Sequence, residues 1–260
     1  MMHKFELPYN QQKDWFDYAQ QYKHLFNQVT SVYTTAWKED AECTRKQLLT
    51  VDYAPKTWEE YVEHIKQLQD IGVNVNILMQ RGVTKEAFKK YYDLGIRTFT
   101  MSDDLLVLEL KEKYPDIYVI CSITKGLKYE DFFTVDMSMY DNIVLPFYFN
   151  RWISGIRTLP THYKYTILAN SSCCAYCDVA QKHWFNPLGN AEPCKYENDP
   201  YAMHINIDPS FLPIFDPYID TYKLVDREAP SDQIFKGLSL YANQADHFDD
   251  YAIWMQLHKK

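Results

Sequence analysis

The chain has 260 residues, 47% of them hydrophobic and 24% charged, with a net charge of −8. That composition is ordinary for a globular protein with a sizeable core, and the acidic balance excludes a general nucleic-acid or anionic-membrane coat. The longest apolar run, residues 143–149, is too short to span a bilayer, and residues 1–6 lack the apolar core of a signal peptide. A cytoplasmic protein without a membrane partner is therefore expected.

The length admits two average domains, but α/β barrels reach this size as one. No repeat and no Ser/Gly/Pro-rich linker divides the chain, so residues 1–260 are expected to form a single domain. A strand over 4–7 is ended by Pro8, and a helix over 11–22 places Trp15, Tyr18 and Tyr22 on one face. A second strand covers 29–33. Thr57, with Glu60 three residues on, reads as a capping box opening a helix whose apolar positions are Trp58, Tyr61, Val62, Ile65 and Leu68. Gly72 ends it and a strand over 73–78 follows. The same device returns at once: Thr84 opens a helix, Gly95 closes it, and residues 96–100 form the next strand.

A helix over 103–113, a strand over 117–123, a short helix and a strand over 142–145 come next. Residues 151–159 lead to a strand over 164–169; a last strand covers 222–225 and a last helix 231–242. Eight strands alternating with helices predict a (β/α)8 TIM-type barrel. An open doubly wound sheet is disfavoured because no Gly-rich phosphate loop follows any strand. Residues 170–220 stand out as a long, irregular, cysteine-containing insertion after strand 7. It starts at a strand end, on the side of a barrel where active sites lie.

The cysteines are Cys43, Cys121, Cys173, Cys174, Cys177 and Cys194. Nothing else points to secretion, and four of them fall within 22 residues, which reads as metal binding rather than disulfides. Cys173 and Cys177 form a C-x3-C pair, and Cys194 follows Cys177 after 16 residues. Such thiolates suit an iron–sulfur cluster or a structural zinc, the latter with a histidine such as His183. Cys121, in mid-strand, reads as a buried free thiol. Cys43 follows the second strand, and loops after different barrel strands meet at one rim.

Several segments resemble the collagenase-like peptidase U32 family, particularly its iron–sulfur barrels related to oxygen-independent hydroxylases of ubiquinone and RNA. They are Ser31-Val32-Tyr33 with Cys43-Thr44-Arg45-Lys46, Gly72-Val73-Asn74-Val75-Asn76, Asp93-Leu94-Gly95-Ile96, and Asp141 to Leu145 with Asn150-Arg151. Leu168-Ala169-Asn170 followed by Cys173 and Cys177, with His183 downstream, and the stretch from Asp220 to Arg227 complete the resemblance. It implies a [4Fe–4S] cluster held by Cys43, Cys173, Cys177 and Cys194, with Cys174 competing for the fourth place and zinc as the alternative metal. It also implies substrate contacts from Tyr33, Asn150, Arg151, Asn170 and Arg227.

The activity so implied is a redox hydroxylation of a small aromatic or nucleobase-containing substrate, free or within a nucleotide or RNA. Some relatives work as heterodimers, so a hetero- or homodimer partner is expected. Single residues also have plainer roles: a rim arginine in a surface ion pair, Asn170 capping a turn, His162, His183 and His204 merely solvated. The alternative function is a zinc-stabilised barrel acting as a binding subunit. The family's glutamate–phenylalanine–glycine peptidase signature is absent, as are H-E-x-x-H and G-x-S-x-G, so peptidase activity is the weakest reading. The sequence names no catalytic residue.

Overall fold

A computed structural model describes residues 2–40, 53–171, 206–225 and 229–243. Eight parallel strands close into a barrel in sequence order: β1 (Phe5–Pro8), β2 (Val29–Thr35), β3 (Asn74–Leu78), β4 (Thr98–Met101), β5 (Tyr118–Cys121), β6 (Asn142–Val144), β7 (Tyr165–Leu168) and β8 (Thr221–Lys223). The ring shuts where Phe5 and Glu6 of β1 pair with Tyr222 and Lys223 of β8. The expected (β/α)8 barrel is the observed fold.

The helices form for local reasons. Helix α1 spans Trp15–Gln21. It starts later than the apolar spacing from residue 11 suggests, because Gln11 takes a left-handed φ of 69°. Asn10 is meanwhile tied to the carbonyl of Ala229 and to Ser231. Helix α2 (Trp58–Asp70) opens on Thr57, whose hydroxyl accepts from the Glu60 amide at 3.2 Å. The Glu60 carboxylate reaches one residue further back than a capping box requires and accepts from the Lys56 amide at 2.6 Å. Helix α3 (Lys85–Asp93) repeats the start with Thr84 capping Ala87. Gly72 and Gly95, with φ of 86° and 85°, turn the chain out of both helices in a conformation that costs a β-carbon energy.

Helix α4 (Asp104–Lys113) is capped by Asp103; α5 (Asp131–Thr134) and α6 (Ile153–Ile156) are single turns. The chain is not irregular all the way to residue 220. A 3-10 turn, Pro209–Phe211, runs into helix α7 (Leu212–Phe215), started by Asp208 accepting from Ser210 and by prolines at early helix positions. Helix α8 (Ser231–Asn243) packs on α1 and β1. No helix among the described residues is long and apolar enough to cross a membrane.

Strand side chains alternate between two environments. Leu7, Val32, Ile77, Phe99, Val119, Ile143 and Ile167 face the helices and belong to one apolar core. That core is rich in aromatic contacts, such as Trp37, Trp58, Tyr61 and Tyr91 between β2, α2 and α3. Much of the tyrosine content thus serves helix-to-barrel packing.

Candidate functional site

The residues that alternate with this core fill the barrel itself. Glu6 of β1 accepts from Ser31 Oγ at 3.0 Å and from Asn76 Nδ2, and its second carboxylate oxygen pairs with Lys223 Nζ of β8. Asn76 exchanges two hydrogen bonds with Thr100 Oγ1, at 3.0 and 3.1 Å. Lys223 Nζ also lies 3.7 Å from the centre of the Tyr33 ring, whose hydroxyl donates to the Leu224 carbonyl at 2.8 Å. The two ionic side chains are only 1% and 9% exposed. Burial of a charge is tolerated when a partner and extra hydrogen bonds replace water, and this network supplies both.

On the β5–β7 side the filling changes to hydrocarbon. Ile120, Val144 and Leu168 form a buried cluster separate from the main core and join Phe147, just beyond β6. Beneath it Thr166 donates to Asn142 Oδ1 at 2.8 Å. Burial drives the Tyr118 hydroxyl at the base of this cluster above its ordinary pKa.

At the carboxyl-terminal ends of β3–β5 a neutral polar arc borders the mouth. Gln80 Nε2 donates to Ser122 Oγ at 3.1 Å, and Ser122 Oγ lies 2.8 Å from Thr124 Oγ1. Ser102 Oγ donates to the Gln80 carbonyl. Gln80, Ser122 and Thr124 are all buried. Beside them, at the end of β2, Thr35 is buried and its hydroxyl has no hydrogen-bond partner among the described residues.

Of the residues proposed from the sequence, Tyr33, Asn150, Arg151 and Asn170 are gathered on this same side of the barrel, at or just beyond the ends of β2, β6 and β7. Each holds main chain. Asn170 spans the β7–β8 gap, donating to the Val225 carbonyl at 3.1 Å and accepting from its amide at 2.5 Å. Asn150 donates to the Leu168 carbonyl at 2.6 Å. Arg151 donates to the carbonyls of Asn206, at 2.6 Å, and Asn150, at 3.2 Å. Arg227, the four candidate ligands Cys43, Cys173, Cys177 and Cys194, and also Cys174, His183 and His204, lie outside the described residues.

Cys121 ends β5 as a fully buried thiol whose pKa is pushed up by desolvation. A nucleophile or ligand needs the thiolate, so this cysteine is structural. His162 is exposed and lines a cavity of about 400 Å³ with Lys164, Asp216 and Asp220. That cavity opens beside the starts of β7 and β8, at the end of the barrel opposite the mouth.

Sequence reasoning passed over Glu6, Asn76, Thr100 and the rim arc. The available signal was a charged or amide side chain in the middle of short strands, as in Phe5-Glu6-Leu7 and Val75-Asn76-Ile77. Strands of a parallel barrel are covered on both faces, so a polar residue there has to find its partner inside.

The sequence matches no family model and no curated protein. Among solved structures it is similar to the U32 peptidase Mk0906, with 14% identity and a TM-score of 0.56, covering 88% of this chain and 96% of that one. It is also similar to an uncharacterized B. cereus protein, with 12% identity and a TM-score of 0.51, covering 93% of this chain and 66% of that one. Over most of its length the chain therefore has a U32-like barrel fold.

Proposed function

We propose that the chain is a U32-like redox enzyme of the oxygen-independent hydroxylase type, with a cysteine-ligated iron–sulfur centre at the barrel mouth. The carrying observation is topological. The segments holding Cys43 and holding Cys173, Cys177 and Cys194 follow β2 and β7, so both leave from strand carboxyl ends, where the polar arc lies. Four thiols are a soft donor set that fits an iron–sulfur cluster, or zinc as second choice. When bound, an iron–sulfur centre supplies one-electron chemistry.

This chain's own residues supply the frame. The Glu6–Lys223 pair fixes the floor of the mouth, and Asn170 joins the ends of β7 and β8. Arg151 braces the rim through two carbonyls, and in this reading Tyr33, Asn150 and Arg227 help to orient a small aromatic or nucleobase-containing substrate. Peptidase activity, named for Mk0906, is not proposed here because the peptidase signature is missing from the sequence.

A zinc-stabilised, non-catalytic barrel is the second reading. It draws support from the main-chain commitments of Tyr33, Asn150, Arg151 and Asn170, which a purely structural module would also make. Anaerobic purification separates the two. Iron with acid-labile sulfide and broad absorbance near about 400 nm, lost in Cys173→Ala and Cys194→Ala, is the expected result. Stoichiometric zinc, or a colourless metal-free protein, would sink the redox enzyme.

A further inference from the structure

We propose that the β2–β5 side of the mouth is a specificity subsite for an uncharged amide-type edge, a carboxamide or ring lactam, carried on a planar ring. This rests on reading the mouth as the active site and narrows the substrate class it takes.

The first observation is Thr35. On β2, Ser31 and Tyr33 put their side chains inside the barrel, and Thr35 follows at the same parity. Thr35 is 1% exposed and its Oγ1 has no partner among the described residues, although its own carbonyl accepts from Tyr61 at 2.6 Å. Unpaired buried hydroxyls are rare because they forfeit hydration without recompense. A ligand group at the mouth would repair this one.

The second observation is the arc next to it. Thr35 pairs with Leu78 in the β2–β3 ladder, and Gln80 follows Leu78 on the inward side. Ser122 Oγ is filled by Gln80 Nε2, the Thr124 amide and Thr124 Oγ1, and so holds in place the Thr124 hydroxyl, a group that both donates and accepts. An amide-type edge likewise carries a donor beside an acceptor. Among the described residues the side chains that make up the arc are uncharged, and the exposed Arg81 follows Gln80. Nearby Lys125 is paired with Asp104 at 2.5 Å, and Lys223 with Glu6 deeper in the barrel. A carboxylate set against these hydroxyls and this amide would lose its water without gaining a counter-charge from them.

The third observation lies across the mouth. Val144, Phe147 and Leu168 offer an apolar surface separate from the main core. One neutral hydrogen-bonding edge and one hydrocarbon surface match a flat ring that presents an amide on one side.

Benzamide, uracil and benzoate test this as probes, since benzamide and benzoate differ only at the edge to be read, and uracil distinguishes a lactam from a carboxamide. Saturation-transfer NMR titrations would use the full chain as purified anaerobically, with iron and sulfide assayed on the same sample. Saturable binding of benzamide or uracil, with none by benzoate, is expected. Thr35→Val should weaken that binding by about tenfold while leaving the melting temperature unchanged or higher, because the lost hydroxyl was unpaired. If Thr35→Val does not fold, Ser122→Ala is read by binding alone, because its hydroxyl meets Gln80 and Thr124 and its loss should also lower the melting temperature.

The subsite is overturned if benzoate binds as well as the neutral probes, if neither neutral probe saturates, or if the folded variant binds them undiminished. Failure of the redox reading shows separately, as zinc or absence of iron in a sample that still binds the neutral probes.

Discussion

The two halves of the barrel interior are built on opposite principles. On β1–β4 and β8, Glu6, Ser31, Asn76, Thr100 and Lys223 meet through directed hydrogen bonds and an ion pair. On β5–β7, above the Asn142–Thr166 hydrogen bond, Ile120, Val144 and Leu168 meet through hydrocarbon contact. Hydrogen bonds demand particular atoms at particular distances, whereas apolar contact demands volume. The polar half should therefore fix the geometry of the mouth, and the apolar half should tolerate change of shape at constant size.

The largest expected effect tests the polar half. Lys223→Met strands the Glu6 carboxylate in a buried site, and such losses cost about 3–5 kcal/mol. Urea unfolding should show that drop, and Glu6→Gln in the same background should restore part of it. Full stability in Lys223→Met would mean that the pair is dispensable and the contrast false.

In the apolar half, Leu168→Ala should cost about 2–5 kcal/mol, but Leu168→Met less than about 1.5 kcal/mol. Equal losses for the two would show that this side also requires one exact shape. A smaller effect sharpens the role of single hydrogen bonds: Thr100→Val removes both contacts to Asn76 and should cost about 1–3 kcal/mol by the same assay.

The mildest prediction concerns a group outside the barrel interior. His64 on α2 lies 2.8 Å from the Tyr9 hydroxyl, and burial holds its pKa below the ordinary value, with Lys13 acting in the same direction. The unfolded chain then binds the proton more tightly than the folded one. Stability is full above the unfolded pKa of about 6.5 and declines as pH falls below it. Melting temperatures between pH 8 and pH 5 should show a slope that His64→Gln flattens; an unchanged slope would assign it elsewhere.

Elements set by near neighbours were legible before the fold was known. Thr57 and Thr84 cap their helices as their spacing implies, and Gly72 and Gly95 adopt the left-handed turns that the repeated helix-to-strand device demands. The order of eight strand segments implied the barrel. The start of α1 was misjudged because Gln11 is turned by contacts with distant partners: its Nε2 donates to Thr34 at 2.6 Å, while adjacent Asn10 reaches Ala229 and Ser231. The helix after residue 208 was missed because a single turn rich in proline carries too little periodicity to read.

The sequence by itself determined the alternation of strand and helix, the caps and stops, and the cysteine spacing, because each depends on residues a few positions apart. Tertiary structure alone decided that Glu6 would face Lys223, 217 residues away. It alone turned Asn170 and Arg151 toward main-chain carbonyls and left the Thr35 hydroxyl buried without a partner among the described residues. Those outcomes follow from closure of the ring. Closure brings β1 against β8 and points alternate side chains into a shared interior, where charge and polarity must be matched across strands remote in sequence.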